Sequence, residues 1–423
     1  MLFRSRNDER VGVGMMSGAK KRVPKRRFKE FLNAGEWEQR KLSELATMNA
    51  RIGWQNLRTS EFLDSGDYLL ITGTDFDNGR VKYSTCHYVE KKRFDQDTKI
   101  QLSTGSILIT KDGTLGKVAL VEELPKPATL NAGVFNVRVK DDAVLSYKYL
   151  YHYLKAPFLM KYVTANATGG TIKHLNQSIL VDFPIPITEK PEQDRIAKLL
   201  DSLESSITLH QRKLDKLQAT KKALLQEMFP EEGQDKPKRR FKGFTDAWEQ
   251  RKLGDIATFS KGNGYSKSDL VPSGNPIILY GRLYTNYETT ISNVDTFVEL
   301  KDKSVLSQGG EVIVPASGET AEDISRASVV KNQGIIIGGD LNVIKANHLL
   351  DPTFLALTIS NGGQQKELSK RAQGKSVVHL HNSDLQEVNL TFPLLNEQKE
   401  ISTLFEKMDN IITLHQRKLE HLQ

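Results

Sequence analysis

One cysteine, Cys86, stands in 423 residues. Neither a disulfide framework nor a cysteine-rich zinc site can be built from it, and a reducing cytoplasm is the compartment that fits. No run of 18 apolar residues occurs, so no helical membrane span is expected. The charged N-terminus lacks the apolar stretch of a secretory signal. Acidic residues fall short of basic ones, 52 against 60, yet residues 1–30 alone hold ten Lys/Arg and three Asp/Glu. That segment therefore carries most of the net charge of +8, and the rest of the chain is close to neutral. Bulk charge does not supply a surface for a polyanion; local clustering, or a surface shared with a partner, must do so. Residues 1–23 show no hydrophobic periodicity and read as a disordered basic tail, in which Met15 or Met16 could serve as an alternative start.

What the chain does contain is a repeat. ITLHQRKL occurs at 207–214 and again at 412–419. The same shift places Leu200, Leu203, Ile207, Leu214 and Leu217 on Phe405, Met408, Ile412, Leu419 and Leu422. These positions alternate three and four apart, so each copy is expected to be a helix with one apolar seam that the other copy completes. His210 and His415 fall on that seam. A polar residue there commonly fixes register at some cost in stability, a better reading than a metal pair or a pH switch when no further ligand is in sight. A second repeat pairs PKRRFKEF (24–31) with PKRRFKGF (237–244), and EWEQRKLSELAT (36–47) with AWEQRKLGDIAT (247–258). Trp37 and Trp248 head the latter pair, either as core anchors or as hot spots facing a partner.

Between the repeats the two stretches differ, as expected of one frame carrying two surfaces. Strand-like runs in the first are YLLIT (68–72), SILIT (106–110), KVALVEE (117–123) and VFNVRV (134–139), followed by a helical reading for 147–163. In the second they are PIILYGRLY (276–284), EVIVPASGE (311–319) and GIIIGGDLNVI (334–344), followed by helical PTFLALTIS (352–360). Pro184, Pro186 and Pro191 argue against a helix before 191, and a helix from there to about 229 would be roughly 58 Å long at 1.5 Å per residue. The expected boundaries are a first module over 24–190, a central helix over 191–230, a linker over 231–246, a second module over 247–395 and a shorter helix over 396–423. That second helix has no counterpart of ATKKALLQEMF (219–229), so either it is truncated or the distal end of the first helix pairs elsewhere.

From about residue 24 onward the chain resembles the specificity subunit of type I restriction-modification systems. The resemblance rests on the duplicated WEQRKL(S/G)(E/D)(L/I)AT segments, on GGTIKHLNQSIL and GKSVVHLHNSDL, on PEQDRIAKLL and NEQKEISTLF, and on the two ITLHQRKL helices. It implies a mixed α/β (α+β) fold with two target-recognition domains, separated by two long antiparallel coiled-coil helices in a pseudo-twofold internal repeat. It also implies that each domain reads half of a bipartite double-stranded DNA site, that two methyltransferase subunits dock on the repeated regions, and that two restriction subunits can join. S-adenosylmethionine, ATP and Mg would then belong to those partners and none of them to this chain. Two other readings stay open: a nuclease or methyltransferase acting alone, and a coiled-coil assembly scaffold without DNA readout.

Catalytic signatures are sparse. Adenine methylation needs a glycine-rich cofactor loop and an Asn/Asp-Pro-Pro-aromatic element. Asn275-Pro276 lacks the second proline, and Lys261-Gly262-Asn263-Gly264 precedes no clear strand-to-helix crossover. GKS at 374–376 is half a P-loop, with Ser369 where the leading glycine belongs. Asp77 with Glu90-Lys91-Lys92 fits a nuclease spacing only loosely. For DNA reading, KDGTLGK (111–117) offers Lys111, Thr114 and Lys117 on a glycine-flexible loop, and its equivalent ASGET (316–320) offers Ser317, Glu319 and Thr320. Glutamate can accept from a cytosine amino group, and serine or threonine can bond either base edge. Trp54, Gln55, Asn56 and Arg58 form a second candidate patch, with Tyr280, Arg282, Tyr284 and Asn286 as its rough counterpart. Lys173 and His174, with Lys375 and His379, recur before the long helices and suit a shared structural or phosphate-contact role. The basic run Lys20–Lys29 reads as a solvated charge run within reach of phosphates.

Overall fold

The computed structural model describes residues 3–5, 23–52, 57–166, 174–374 and 377–422. The chain divides into two compact units, residues 1–205 and 206–423, each with its own hydrophobic core. The boundary falls inside the first long helix, Lys190–Glu227, rather than at either of its ends. Among the described residues no helix is long and apolar enough to cross a membrane.

In the first unit the repeated Trp-Glu-Gln-Arg-Lys-Leu segment begins as a strand, Glu38–Lys41, paired antiparallel with Pro184–Ile187. Ile185 and Ile187 point into the core at alternate positions, and Pro184 and Pro186 alternate with them in a strand paired on one edge only, so the missing donors can fall on the unpaired edge. One helical turn, Leu42–Leu45, buries both leucines and leads into Ala46–Ala50. That strand opens a six-stranded sheet, followed in order by Val134–Val139, Ile107–Thr110, Val118–Leu120, Arg80–Val81 and Phe76–Asp77. Ala128–Leu130, Tyr68–Ile71 and His87–Val89 form a smaller sheet. The single helix expected over 147–163 is corrected to two, Tyr147–Lys155 and Phe158–Asn166. Pro157 lies between them, and a proline disfavours the helical conformation of the residue before it.

The second unit repeats the plan. Glu249–Lys252 pairs with Asn389–Phe392, and the main sheet runs Ala257–Lys261, Leu341–Ala346, Glu311–Pro315, Ser328–Val330, Thr290–Ile291. Only the start of PIILYGRLY is strand, Asn275–Ile278; the chain then turns, and Arg282–Thr285 is a helical turn with Leu283 buried beneath it. Two carboxylates hold that turn through Arg282, which period-two reading of the segment could not anticipate.

A buried polar joint recurs wherever a long helix leaves a module. Gln193 donates to the carbonyls of Thr188 (2.7 Å) and Val144 (2.9 Å) and accepts from the Ser146 amide (2.9 Å). Gln398 does the same with Pro393 (2.8 Å), Leu349 (2.9 Å) and the Asp351 amide (2.9 Å). Beside each glutamine sits a two-pronged ion pair. Arg27 reaches both oxygens of Glu192 at 2.6 Å, with both side chains almost wholly buried, and Arg240 reaches those of Glu397 at 2.8 and 2.6 Å. The second arginine of each PKRRF is therefore a structural clamp. The phosphate role entertained for the basic run 20–29 does not extend to Arg27, because its guanidinium is spent inside the protein.

Within the second unit the later turns of the first long helix run antiparallel to the second, Leu395–Leu422, with His210 against His415 and Lys221 paired with Asp409. Leu214 and Leu419 are buried on the seam, and Ile207 and Ile412 are half-buried. The Nδ1 atoms of His210 and His415 lie 2.8 Å apart, a distance at which one ring must present its lone pair. Among the described residues no cluster of three or more His, Cys, Asp or Glu suited to a metal ion includes them. Burial, then His210, Lys213 and Lys418, push the His415 imidazole below its usual 6.5. The folded state thus takes up fewer protons than the unfolded one. The stability tied to neutral His415 is full above pH 6.5 and is lost as the pH falls through the depressed value. Urea midpoints of the second unit should drop between pH 7.5 and about 5.5, and a His210→Leu/His415→Leu variant should lose that dependence.

The distal end of the first helix does find a partner. Met228 and Phe229, both buried, enter the second unit's core, where the Phe229 ring lies 6.4 Å from Trp248, 5.8 Å from Phe354 and 6.2 Å from Phe405.

Candidate nucleic-acid interface

In the first unit the central strand ends at Thr110, whose hydroxyl shapes the loop that follows. Thr110 Oγ1 donates to the Thr114 carbonyl (2.5 Å) and accepts from the Lys117 amide (2.9 Å), closing residues 111–117 into a compact turn. Gly113 and Gly116 both have φ +71°, and a Cβ at Gly116 would come within 2.2 Å of the Met160 sulfur. The Lys111 amide donates to the Gly133 carbonyl (2.9 Å), and its own carbonyl accepts from the Leu175 amide (2.8 Å). This last bond brings His174 to the loop, where its Nδ1 meets Asp112 Oδ1 at 2.6 Å. Thr114, Lys117 and His174 are exposed, while Lys111 is half-buried with its ammonium 5.7 Å from the Phe135 ring centre. One rim thus gathers Lys111, Thr114, Lys117 and His174, with Asp112 restraining the histidine and offsetting part of the positive charge.

The second unit tethers its loop in the same way: the Ala316 carbonyl accepts from the Leu380 amide at 3.0 Å. Ser317–Gly318 pairs antiparallel with Val378–His379, so Ser317 and His379 lie side by side. Ser317 Oγ donates to Asp340 Oδ2 (3.0 Å), and Glu319 stands exposed. Thr320 is used internally: it caps Ala321–Ile324 by accepting from the Asp323 amide (3.1 Å) and donates to Asp323 Oδ2 (2.6 Å). His381, which sequence reasoning passed over, lies parallel to His379 with ring centres 6.4 Å apart and planes within 2°. The alternation His-Leu-His was the available signal, since residues two apart on extended chain share a face. Gln177 donates to the Met48 carbonyl and Asn382 to that of Ser260, each at 2.9 Å, fixing both loops to the first strand of the main sheet.

The second candidate patch fares differently. Trp54, Gln55 and Asn56 lie outside the described residues, as do Lys173 and Lys375. Arg58 is exposed, and its amide donates to Glu61 (2.8 Å). Tyr280 and Asn286 are exposed, and Tyr284 donates to the Ser317 carbonyl (2.8 Å), its hydroxyl pKa raised by burial. Arg282 leaves the set of base readers. Its side chain is only 12% exposed and bridges Glu288 and Asp295, both at 2.8 Å. Of the two tryptophans left open between core and partner-facing roles, Trp248 is buried against Phe229 and Phe354, whereas Trp37 is half-buried and edge-on to Tyr149 (6.4 Å) at an open groove.

The first rim offers ammonium groups for phosphates with a hydroxyl and an imidazole. The second offers a free carboxylate, a hydroxyl and two stacked imidazoles. Such sets differ in what base edges they complement while sitting on one frame.

Two α/β modules of one plan, each with an equivalent loop hung from an equivalent backbone bond, define a duplicated recognition protein. The chain belongs to the family of type I restriction-modification specificity subunits: the profile of the Type I restriction modification DNA specificity domain matches residues 34–219 and again residues 245–423. Among its relatives is the MjaVIII specificity subunit of Methanocaldococcus jannaschii, 20% identical over 92% of this chain and 93% of the relative. The EcoR124I/EcoR124II specificity subunit of Escherichia coli is 27% identical over 43% of this chain and 44% of its own length. The crystal structure of a type I restriction-modification S subunit from M. genitalium covers 91% of this chain and 92% of that one, with a TM-score of 0.59 at 15% identity, a likeness of fold.

Proposed function

We propose that this chain is the non-catalytic, sequence-reading subunit of a type I complex, in which the loops at 111–117 and 316–320 each read one half of a split double-stranded DNA site. Partner methyltransferase subunits, and restriction subunits where they join, then act on the DNA so selected. S-adenosylmethionine, ATP and Mg belong to the chemistry of those partners. The observation that carries the reading is the equivalence of the two tethers, Leu175 to Lys111 and Leu380 to Ala316, beneath loops of different chemistry. A common frame with exchangeable side chains is what two half-sites of different sequence require. Exchanging residues 259–373 for the same region of a related subunit should change one half of the methylated motif and leave the other; change or loss of both halves refutes modular reading.

Within the first loop the lysines are assigned to phosphates. Lys111→Ala and Lys117→Ala, tested in the assembled complex, should each weaken binding about equally on every sequence and reduce the slope of log K against log salt by about 1. Fluorescence anisotropy titrations at several salt concentrations measure this. A changed motif without a changed slope would instead place the lysines on bases.

A further inference from the structure

The two loops are held by a second matching backbone bond, but the residues that accept it differ in kind. The Lys111 amide donates to the carbonyl of Gly133 (2.9 Å), and the Ala316 amide donates to that of Asp340 (2.7 Å). Each acceptor stands just before the second strand of its main sheet, Val134–Val139 or Leu341–Ala346. Asp340 has φ +59°, a conformation that costs an L residue and suits glycine. The sequence runs Gly338-Gly339-Asp340, so the third place keeps a side chain where glycine would hold the same bond without strain. A side chain retained at such a cost implies a use for it.

Asp340 is exposed, and its Oδ2 accepts from Ser317 Oγ (3.0 Å). Among the described residues its Oδ1 has no hydrogen-bond partner, no cation pairs with the carboxylate, and no cluster suited to a metal ion includes it. Asp112, on the first loop, is by contrast held by His174.

Resting on the reading that the 316–320 loop meets a half-site, we infer that Asp340 is a specificity-determining residue of the second unit. With Ser317 it selects cytosine by accepting from the exocyclic amino group of that base in the major groove. Ser317 gives its proton to Asp340, so its hydroxyl oxygen and Asp340 Oδ1 both offer lone pairs and neither offers a donor. Thymine and guanine would turn carbonyl oxygens toward such a pair, and adenine sets the N7 lone pair beside its amino group. Cytosine presents an amino group with no acceptor of its own next to it. A carboxylate directed at phosphates would be repelled, so this one discriminates by rejecting wrong bases as well as by bonding the right one. The first rim, with Gly133 at the matching place, carries no counterpart.

The test co-expresses the full chain with its methyltransferase subunit in a methylation-free host and maps N6-methyladenine. The half of the motif that follows residues 259–373 should contain a G·C pair. Asp340→Gly should turn one such pair into an unspecified position while the other half of the motif stays as it was. Glycine relieves the backbone at φ +59°, so the variant should keep its thermal unfolding midpoint, which separates recognition from folding. Asp340→Asn, which adds a donor beside the acceptor, should admit adenine at the same position. In anisotropy titrations of the assembled complex, Asp340→Gly should cut the preference for the motif over a single mismatch at that pair by about tenfold. A half-site made of A·T pairs alone would overturn the assignment, as would a motif unchanged by both variants or an equal loss of binding on every sequence. Glu319→Gln distinguishes two failures. A motif that it alters while Asp340→Gly leaves it intact keeps the loop as a reader and discards Asp340. Silence of Ser317→Ala, Glu319→Gln and Asp340→Gly together would discard the loop as a reader along with it.

Discussion

Replacing Arg27 by methionine should destabilise the first unit by roughly 3–5 kcal/mol, the cost of leaving a buried carboxylate without its partner. Glu192 is 1% exposed and sits in the first turn of the long helix, and both of its oxygens receive the guanidinium. The same arginine donates through Nη1 to the carbonyls of Ala34 (2.8 Å) and Gly35 (3.1 Å), so its loss also frees the segment that leads into Trp37. The helix terminus offsets a little of this cost, because unpaired amides there favour a negative charge. A companion change settles which term dominates. If the penalty comes from the stranded charge, Arg27→Met combined with Glu192→Leu should recover most of the loss, since an apolar pair in a buried site is often as stable as the ion pair it replaces. Urea denaturation of the single and double variants measures both. A single-variant loss below about 1 kcal/mol, or a double variant worse than the single, would show that the pair is not the clamp of this joint.

Phe229→Ala should cost the second unit a similar amount, roughly 3–5 kcal/mol, through lost burial and the cavity left behind. The ring is 3% exposed and bounded by Trp248, Phe354 and Phe405, all part of one core, so little can collapse into the space. Thermal unfolding followed by tryptophan fluorescence should show the second unit melting early with the first unaffected. Phe229→Leu should lose about half as much, because the core keeps most of its apolar volume. Equal losses for alanine and leucine would point to a role in geometry rather than in packing.

The repeated features of the chain were the legible ones. Heptad spacing around ITLHQRKL marks the seam because a helix that buries one stripe must repeat its apolar residues every three and four positions, and both long helices follow it. The short apolar runs at 68–72, 106–110, 117–123 and 134–139 all contain strands. What stayed hidden depends on direction rather than type. PKRRF reads as a solvated charge run, and nothing in its composition says that the second arginine turns inward; the clue was that Arg27 and Glu192 recur as Arg240 and Glu397. Gln193 and Gln398 left the same trace. Arg282 misled for the complementary reason: its carboxylate partners lie 6 and 13 residues on, across a turn that strand periodicity does not reveal. The candidate loops were found through glycine and position, while the use of Thr320 as a helix cap needed coordinates.

The central claim, that one chain carries two separate readers of DNA, is tested most directly by co-expressing it with its cognate methyltransferase subunit in a methylation-free host. N6-methyladenine is then mapped across the genome by single-molecule sequencing. The account predicts a motif of two short specified blocks around an unspecified gap of fixed length. A continuous motif, or methylation unchanged when residues 259–373 are exchanged, would contradict it.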